Sequence, residues 1–140
     1  MAAYVTLLDA IITTAGADVT TTPTDIVNFP ANVTLRADFD YGSGGTTAVF
    51  RVQTSVDGGT TWADVANFAH ATASLDRFVN LTAAAVTTPT AFTDGTLADN
   101  TTQNGLLGYK FRVKYTTVGT YATSTRIRIY LAPSFYYNRR

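Results

Sequence analysis

The chain has 140 residues, with ten Lys and Arg balanced against ten acidic residues, so its formal charge is zero. That length suits one domain. A hydrophobic content of 46% excludes a disordered chain, and no apolar run reaches the roughly 18 residues that span a bilayer. All ten acids are Asp, Lys occurs twice, Thr fills 27 positions and Cys is absent. Glu and Lys favour helices and Thr favours strands, so the composition points to an all-β protein. Without Cys there is no disulfide framework, thiolate metal site or cysteine nucleophile.

In chain order, Met1 to Ala17 holds an apolar stretch and an Ala15-Gly16-Ala17 end like a cleavage site. No basic region precedes it and Asp9 interrupts it, so it reads as mature protein, with residues 1–12 an N-terminal strand or arm. Thr13–Ala31 is rich in Thr, Asp and Pro and carries no period. Period-2 alternation then dominates. Val33, Leu35, Ala37 and Phe39 alternate with Thr34, Arg36 and Asp38. Phe50, Val52 and Val56 alternate with Arg51, Gln53 and Ser55. Tyr109, Phe111, Val113 and Tyr115 alternate with Lys110, Arg112 and Lys114, and Ile127, Ile129 and Leu131 with Arg126, Arg128 and Tyr130. Each run predicts a half-buried strand, and weaker strands are expected at Tyr4–Ile12, Thr61–Phe68 and Arg77–Leu81. Seven or so short strands with no helical period predict a single antiparallel β-sandwich, jelly-roll or immunoglobulin-like, over residues 1–140. The polar stretch 83–105 is a long loop, either a mobile surface segment or an arm over an adjacent subunit.

Near the C-terminus, Thr117-Val118-Gly119 fits a three-residue hairpin loop. In that register Phe111 faces Thr125, Tyr109 faces Ile127 and Lys110 opposes Arg126, a like-charge pair that needs an acidic neighbour. Residues 1–105 carry a charge of −7 and residues 106–140 carry +7. Two accounts fit this split. Asp38 and Asp40 on a neighbouring strand neutralise the basic residues Lys110, Arg112, Arg126 and Arg128, or these four dock on an acidic surface of another chain. The tail, residues 133–140, adds Phe135, Tyr136, Tyr137, Arg139 and Arg140, residue types enriched at interface cores, and reads as a docking segment.

The sharpest local motif is Ser55-Val56-Asp57-Gly58-Gly59-Thr60-Thr61-Trp62. It resembles the Asp box of sialidase-type propellers, in which Ser55, Asp57, Gly58, Gly59, Thr61 and Trp62 make a structural turn. Asp57 accepts loop N–H groups, the glycines permit positive φ, and Trp62 packs beneath. One copy cannot build a propeller, so the resemblance implies a turn geometry and no activity. Catalytic motifs are weak. Ser74 and Asp76 lie near His70 without a nucleophile elbow, and His70 reads as a surface or interface histidine. Asp38 with Asp40, and Asp57 with Asp64, read as solvated aspartates and not as a calcium loop. Gly42-Ser43-Gly44-Gly45 precedes no helix and reads as a flexible turn. Three glycosylation sequons, at Asn32, Asn80 and Asn100, are near chance frequency. No catalytic, cofactor-binding or metal residue is therefore assigned.

The segment VFRVQTSVDGGTTWADVANF, Val49 to Phe68, resembles small virion proteins of tailed bacteriophages. That resemblance implies a non-enzymatic capsid decoration (cement) protein or another head or tail component. Its partners would be the major capsid protein or other virion subunits, and it would be a homo-oligomer such as a trimer. It would sit in the virion after assembly in the host cytoplasm, with no nucleic acid or membrane partner. The alternative is a carbohydrate- or receptor-binding module of a tail or surface appendage, with Trp62 and exposed tyrosines as stacking platforms.

Overall fold

The computed structural model describes residues 4–26, 29–84 and 88–134. Its strands are β1 (Val5–Ile11), β2 (Gly16–Thr20), β3 (Thr24–Asp25), β4 (Asn32–Asp40), β5 (Ser43–Gly44) and β6 (Thr47–Ser55). They continue with β7 (Ala63–His70), β8 (Leu75–Thr82), β9 (Lys110–Val118), β10 (Tyr121–Ala122) and β11 (Arg126–Ser134). Sheet I has the order β1-β11-β4-β8, and sheet II has the order β2-β9-β6-β7 with β3 also on β9. Every pairing is antiparallel, and β5 pairs with β10 in a small ribbon. Apart from the β6–β7 hairpin and the β2–β3 segment, the chain passes back and forth between two sheets packed together, as the all-β reading expects.

The alternation decides which residues meet in the middle. Val33, Leu35, Ala37 and Phe39 of β4 and Ile127, Ile129 and Leu131 of β11 point in from sheet I, and all are buried. Phe50, Val52, Phe111 and Val113 point in from sheet II. Each large side chain contributes roughly 1.5–3 kcal/mol through burial. A bulge between Thr6 and Leu8 turns the consecutive Leu7 and Leu8 inward together.

The expected terminal hairpin is not formed. β9 pairs with β6, placing Phe111 opposite Thr54 and Lys110 opposite Ser55, whereas β11 lies between β1 and β4. Gly119 does take a positive φ of 82°, but the chain after it crosses from sheet II to sheet I. Buried Tyr121 fills that crossing, and its hydroxyl donates to the Ala71 carbonyl at 2.9 Å. Two apolar sets can share a core by facing it from opposite sheets as well as from one. Register arithmetic alone does not separate these arrangements.

Of the long loop, residues 93–103 lie against sheet II of the same chain. Asp64 on β7 is fully buried; its Oδ1 accepts from Gln53 Nε2 at 2.9 Å. Its Oδ2 accepts from Thr93 Oγ1 and from the backbone N–H groups of Gly95, Thr96 and Leu97, at 2.8–3.1 Å. Three successive N–H groups thus close on one carboxylate oxygen. Arg51 Nε and Asn67 Nδ2 both donate to the Leu97 carbonyl, and Lys114 Nζ lies 3.1 Å from Asp94 Oδ1. Further on, the backbone of 101–103 bonds to Asn67 and Val65, and Ala66 bridges Thr102. The loop therefore buries the outer ends of β6 and β7 and caps the β7 edge. Asp64→Ala would strand the loop donors and is expected to cost at least about 3 kcal/mol. Urea unfolding measures the loss, and faster proteolysis within 88–105 should accompany it. A loss below about 1 kcal/mol would contradict the anchoring role.

Candidate functional site

The residues of the Asp-box motif make one compact turn between β6 and β7. Ser55 Oγ donates to Asp57 Oδ1 at 2.8 Å and accepts from the Gly59 N–H at 3.0 Å. Asp57 Oδ1 also accepts from the N–H groups of Thr60 and Thr61, at 3.2 and 2.8 Å. These bonds, the Thr61 N–H first among them, hold its carboxyl down at about 2. Gly58 and Gly59 take φ of 77° and 93°, which L side chains rarely adopt. Trp62 is 5% exposed, donates from Nε1 to the Gly59 carbonyl, and carries the Arg112 guanidinium 4.2 Å above its ring. It is structural, as the motif implies, and it cannot serve as an open stacking platform. Val56, expected in phase with the strand core, lies in the turn and is 67% exposed.

The basic residues singled out in the sequence are engaged within the chain. Arg126 makes a bidentate pair with Asp9, and Arg128 reaches Asp38 at 3.0 Å and Asp40 at 3.1 Å. Lys110 pairs with Asp25, and Arg112 donates to Gln53 Oε1. Asp38 and Asp40 thus offset Arg128, while Asp9 and Asp25 take Arg126 and Lys110. The tail residues Phe135, Tyr136, Tyr137, Arg139 and Arg140 lie outside the described residues. No cluster of three His, Cys or acidic residues that could hold a metal occurs among the described residues.

Among the described residues, two surfaces carry the most apolar recesses. The first is the end of the sandwich that carries the Ser55–Trp62 turn. There Val56, Phe92, Leu106 and Leu107 line an apolar recess of about 270 Å³ together with Thr54, Thr61 and Gly108. Phe92 is 48% exposed, and Phe29, 58% exposed, leans on Tyr109 at 5.2 Å nearby. β1 begins and β11 ends at this same end, since Val5 pairs with Leu131 and Ser134 with Asn32.

The second surface is the outer face of sheet I. Tyr4, Thr34, Arg36, Phe78, Tyr130 and Ala132 line a recess of about 390 Å³ there. Sequence reading missed it, although the signal was present. Phe78 and Tyr130 stand at the outward positions of their strands, out of phase with Leu81, Ile129 and Leu131. An aromatic at a polar position of a half-buried strand marks a surface kept apolar.

His70 corrects an expectation. It is 5% exposed and stacks on Phe39 with ring centroids 4.6 Å apart, because its place on β7, opposite Ala48, points inward. Neither ring nitrogen has a hydrogen-bond partner among the described residues. Burial, reinforced by Arg77, pushes the imidazole down to about 4. The unfolded chain therefore binds a proton that the folded one refuses between about pH 6.5 and 4. This contribution is complete above that window and is lost as pH falls through it, to a total of about 3 kcal/mol. His70→Leu should flatten the acid limb of a urea-stability profile measured from pH 7 to pH 4. Equal slopes for the two proteins would reject the assignment.

Comparison with known proteins returns no matching family model, no matching curated protein and no matching solved structure.

Proposed function

We propose that this chain is a non-enzymatic structural protein of a phage particle, a decoration protein that docks on the assembled head and stabilises it. The observation that carries the reading is the apolar end formed by Val56, Phe92, Leu106 and Leu107. Most charged side chains of the neighbouring strands are satisfied internally, whereas Val56 and Phe92 stay exposed here beside the partly buried Leu106 and Leu107, as apolar groups do at surfaces that bind other proteins. The rigid turn beneath Val56 and the Asp64-anchored loop carrying Phe92 present these groups in a fixed geometry, which lowers the entropy cost of docking. Ser134, the last residue of β11, lies at this same end, and the aromatic and basic residues Phe135–Arg140 that follow it in sequence are of the types enriched at interfaces.

Strand order adds support. With the two-residue strands β3, β5 and β10 set aside, the eight remaining strands read 1-8-3-6 in one sheet and 2-7-4-5 in the other. We read this order as a jelly roll, an architecture of viral capsid and lectin domains. Binding only the assembled head would stabilise it by mass action.

Val56→Asp combined with Phe92→Asp should leave the circular-dichroism spectrum unchanged and lower addition to purified empty heads at least ten-fold by co-sedimentation. Deleting Phe135–Arg140 should act in the same direction. Undiminished addition by both variants would overturn the reading.

A further inference from the structure

We propose that the recess on the outer face of sheet I is a binding site for a neutral saccharide, separate from the docking end. Its walls are aromatic. Phe78 is 68% exposed and Tyr4 57% exposed, and Tyr4 meets Tyr130 edge-on at 5.5 Å. Between Phe78 and Tyr130 lies Arg36, its guanidinium carbon 5.9 and 5.8 Å from the two ring centroids. Asp76 fixes that guanidinium through bonds from Nε at 3.0 Å and from Nη2 at 2.6 Å.

The polar groups are arranged for hydroxyls. Among the described residues Arg36 Nη1 donates to no protein acceptor, and Arg36 and Asp76 keep 37% and 44% of their side chains exposed. Beside them Thr34 Oγ1 donates to Asn80 Oδ1 at 2.7 Å, which orients the carboxamide NH2 of Asn80 as a further donor. Donors and a carboxylate acceptor thus stand next to ring faces, the combination that a sugar ring presents in reverse, with C–H faces and hydroxyl edges. Charge selects the ligand class. Arg36 is neutralised by Asp76, with Asp38 3.9 Å away, so the site has no excess positive charge for a phosphate or an acidic chain. A volume of about 390 Å³ lies at the lower end of the range of about 300–1,000 Å³ for small-ligand sites. The carbohydrate-binding alternative thus moves from buried Trp62 to this face.

The test uses the full chain on a printed array of neutral hexose, hexosamine and deoxyhexose oligosaccharides. The best-bound glycan is then titrated into 15N-labelled protein. Saturable binding is expected, with shifts confined to the amides of Thr34, Arg36, Phe78, Tyr130 and Ala132. Phe78→Ala and Tyr130→Ala should each weaken binding at least ten-fold with little change in Tm. The Val56→Asp, Phe92→Asp variant should bind the glycan as the wild type does, so the two readings fail separately. The site is overturned if no array glycan binds saturably, or if binding survives in the Phe78→Ala, Tyr130→Ala double variant. Loss of head addition on Phe78→Ala without any glycan binding would equally overturn it, making the face a protein contact.

Discussion

The burial of one carboxylate, Asp64, organises the outer half of this molecule. A buried charge is tolerated only where donors replace the water it has lost, and here a glutamine, a threonine and three consecutive backbone N–H groups do so. Because those N–H groups belong to a segment some thirty residues away, satisfying the charge also fixes the path of the loop. Gln53 and Asn67 are buried for the same reason. They stand on a sheet face that would meet solvent if the loop were elsewhere.

The all-β architecture was legible because alternation is a local consequence of the pleat. The runs around Leu35, Phe50, Phe111 and Ile129 all became strands with those residues inside. Partner choice was less legible. β9 and β11 carry apolar sets that match in one hairpin, yet they belong to different sheets, because pattern reports which face is buried and not what lies across it. The Ser55–Trp62 turn was readable residue by residue, since its bonds span no more than four positions. The Asp64 anchor was not, because its partners lie 29 to 33 residues further along the chain. The sheet I recess draws Arg36, Phe78 and Tyr130 from three strands and Tyr4 from just before β1, and has no contiguous signature.

The charge asymmetry of the sequence has a plain structural account. The basic C-terminal quarter supplies β9 and β11, each a central strand of its sheet, and acids from earlier in the chain surround them. Opposite charges far apart in sequence become cross-strand neighbours, so the split helps to specify which strands meet. Exposed pairs of this kind contribute little individually to stability. Their larger effect is on register, because a one-residue slip of β11 against β4 would move Arg128 away from both aspartates and expose its buried isoleucines.

The two flanks of the sandwich are built differently. At one, residues 93–103 seal the border of β7, and Asn100 accepts bonds from Ala69 on β7 and Arg77 on β8. At the other, β1 and β2 are interrupted by irregularities in their pairing, a feature that discourages sheet extension. Addition of a foreign strand is therefore hindered at β7 by a covalently tethered segment, and at β1 and β2 by kinks in their pairing. Severing that tether would bare the unpaired N–H and C=O groups of β7, the kind of margin on which another chain can template itself.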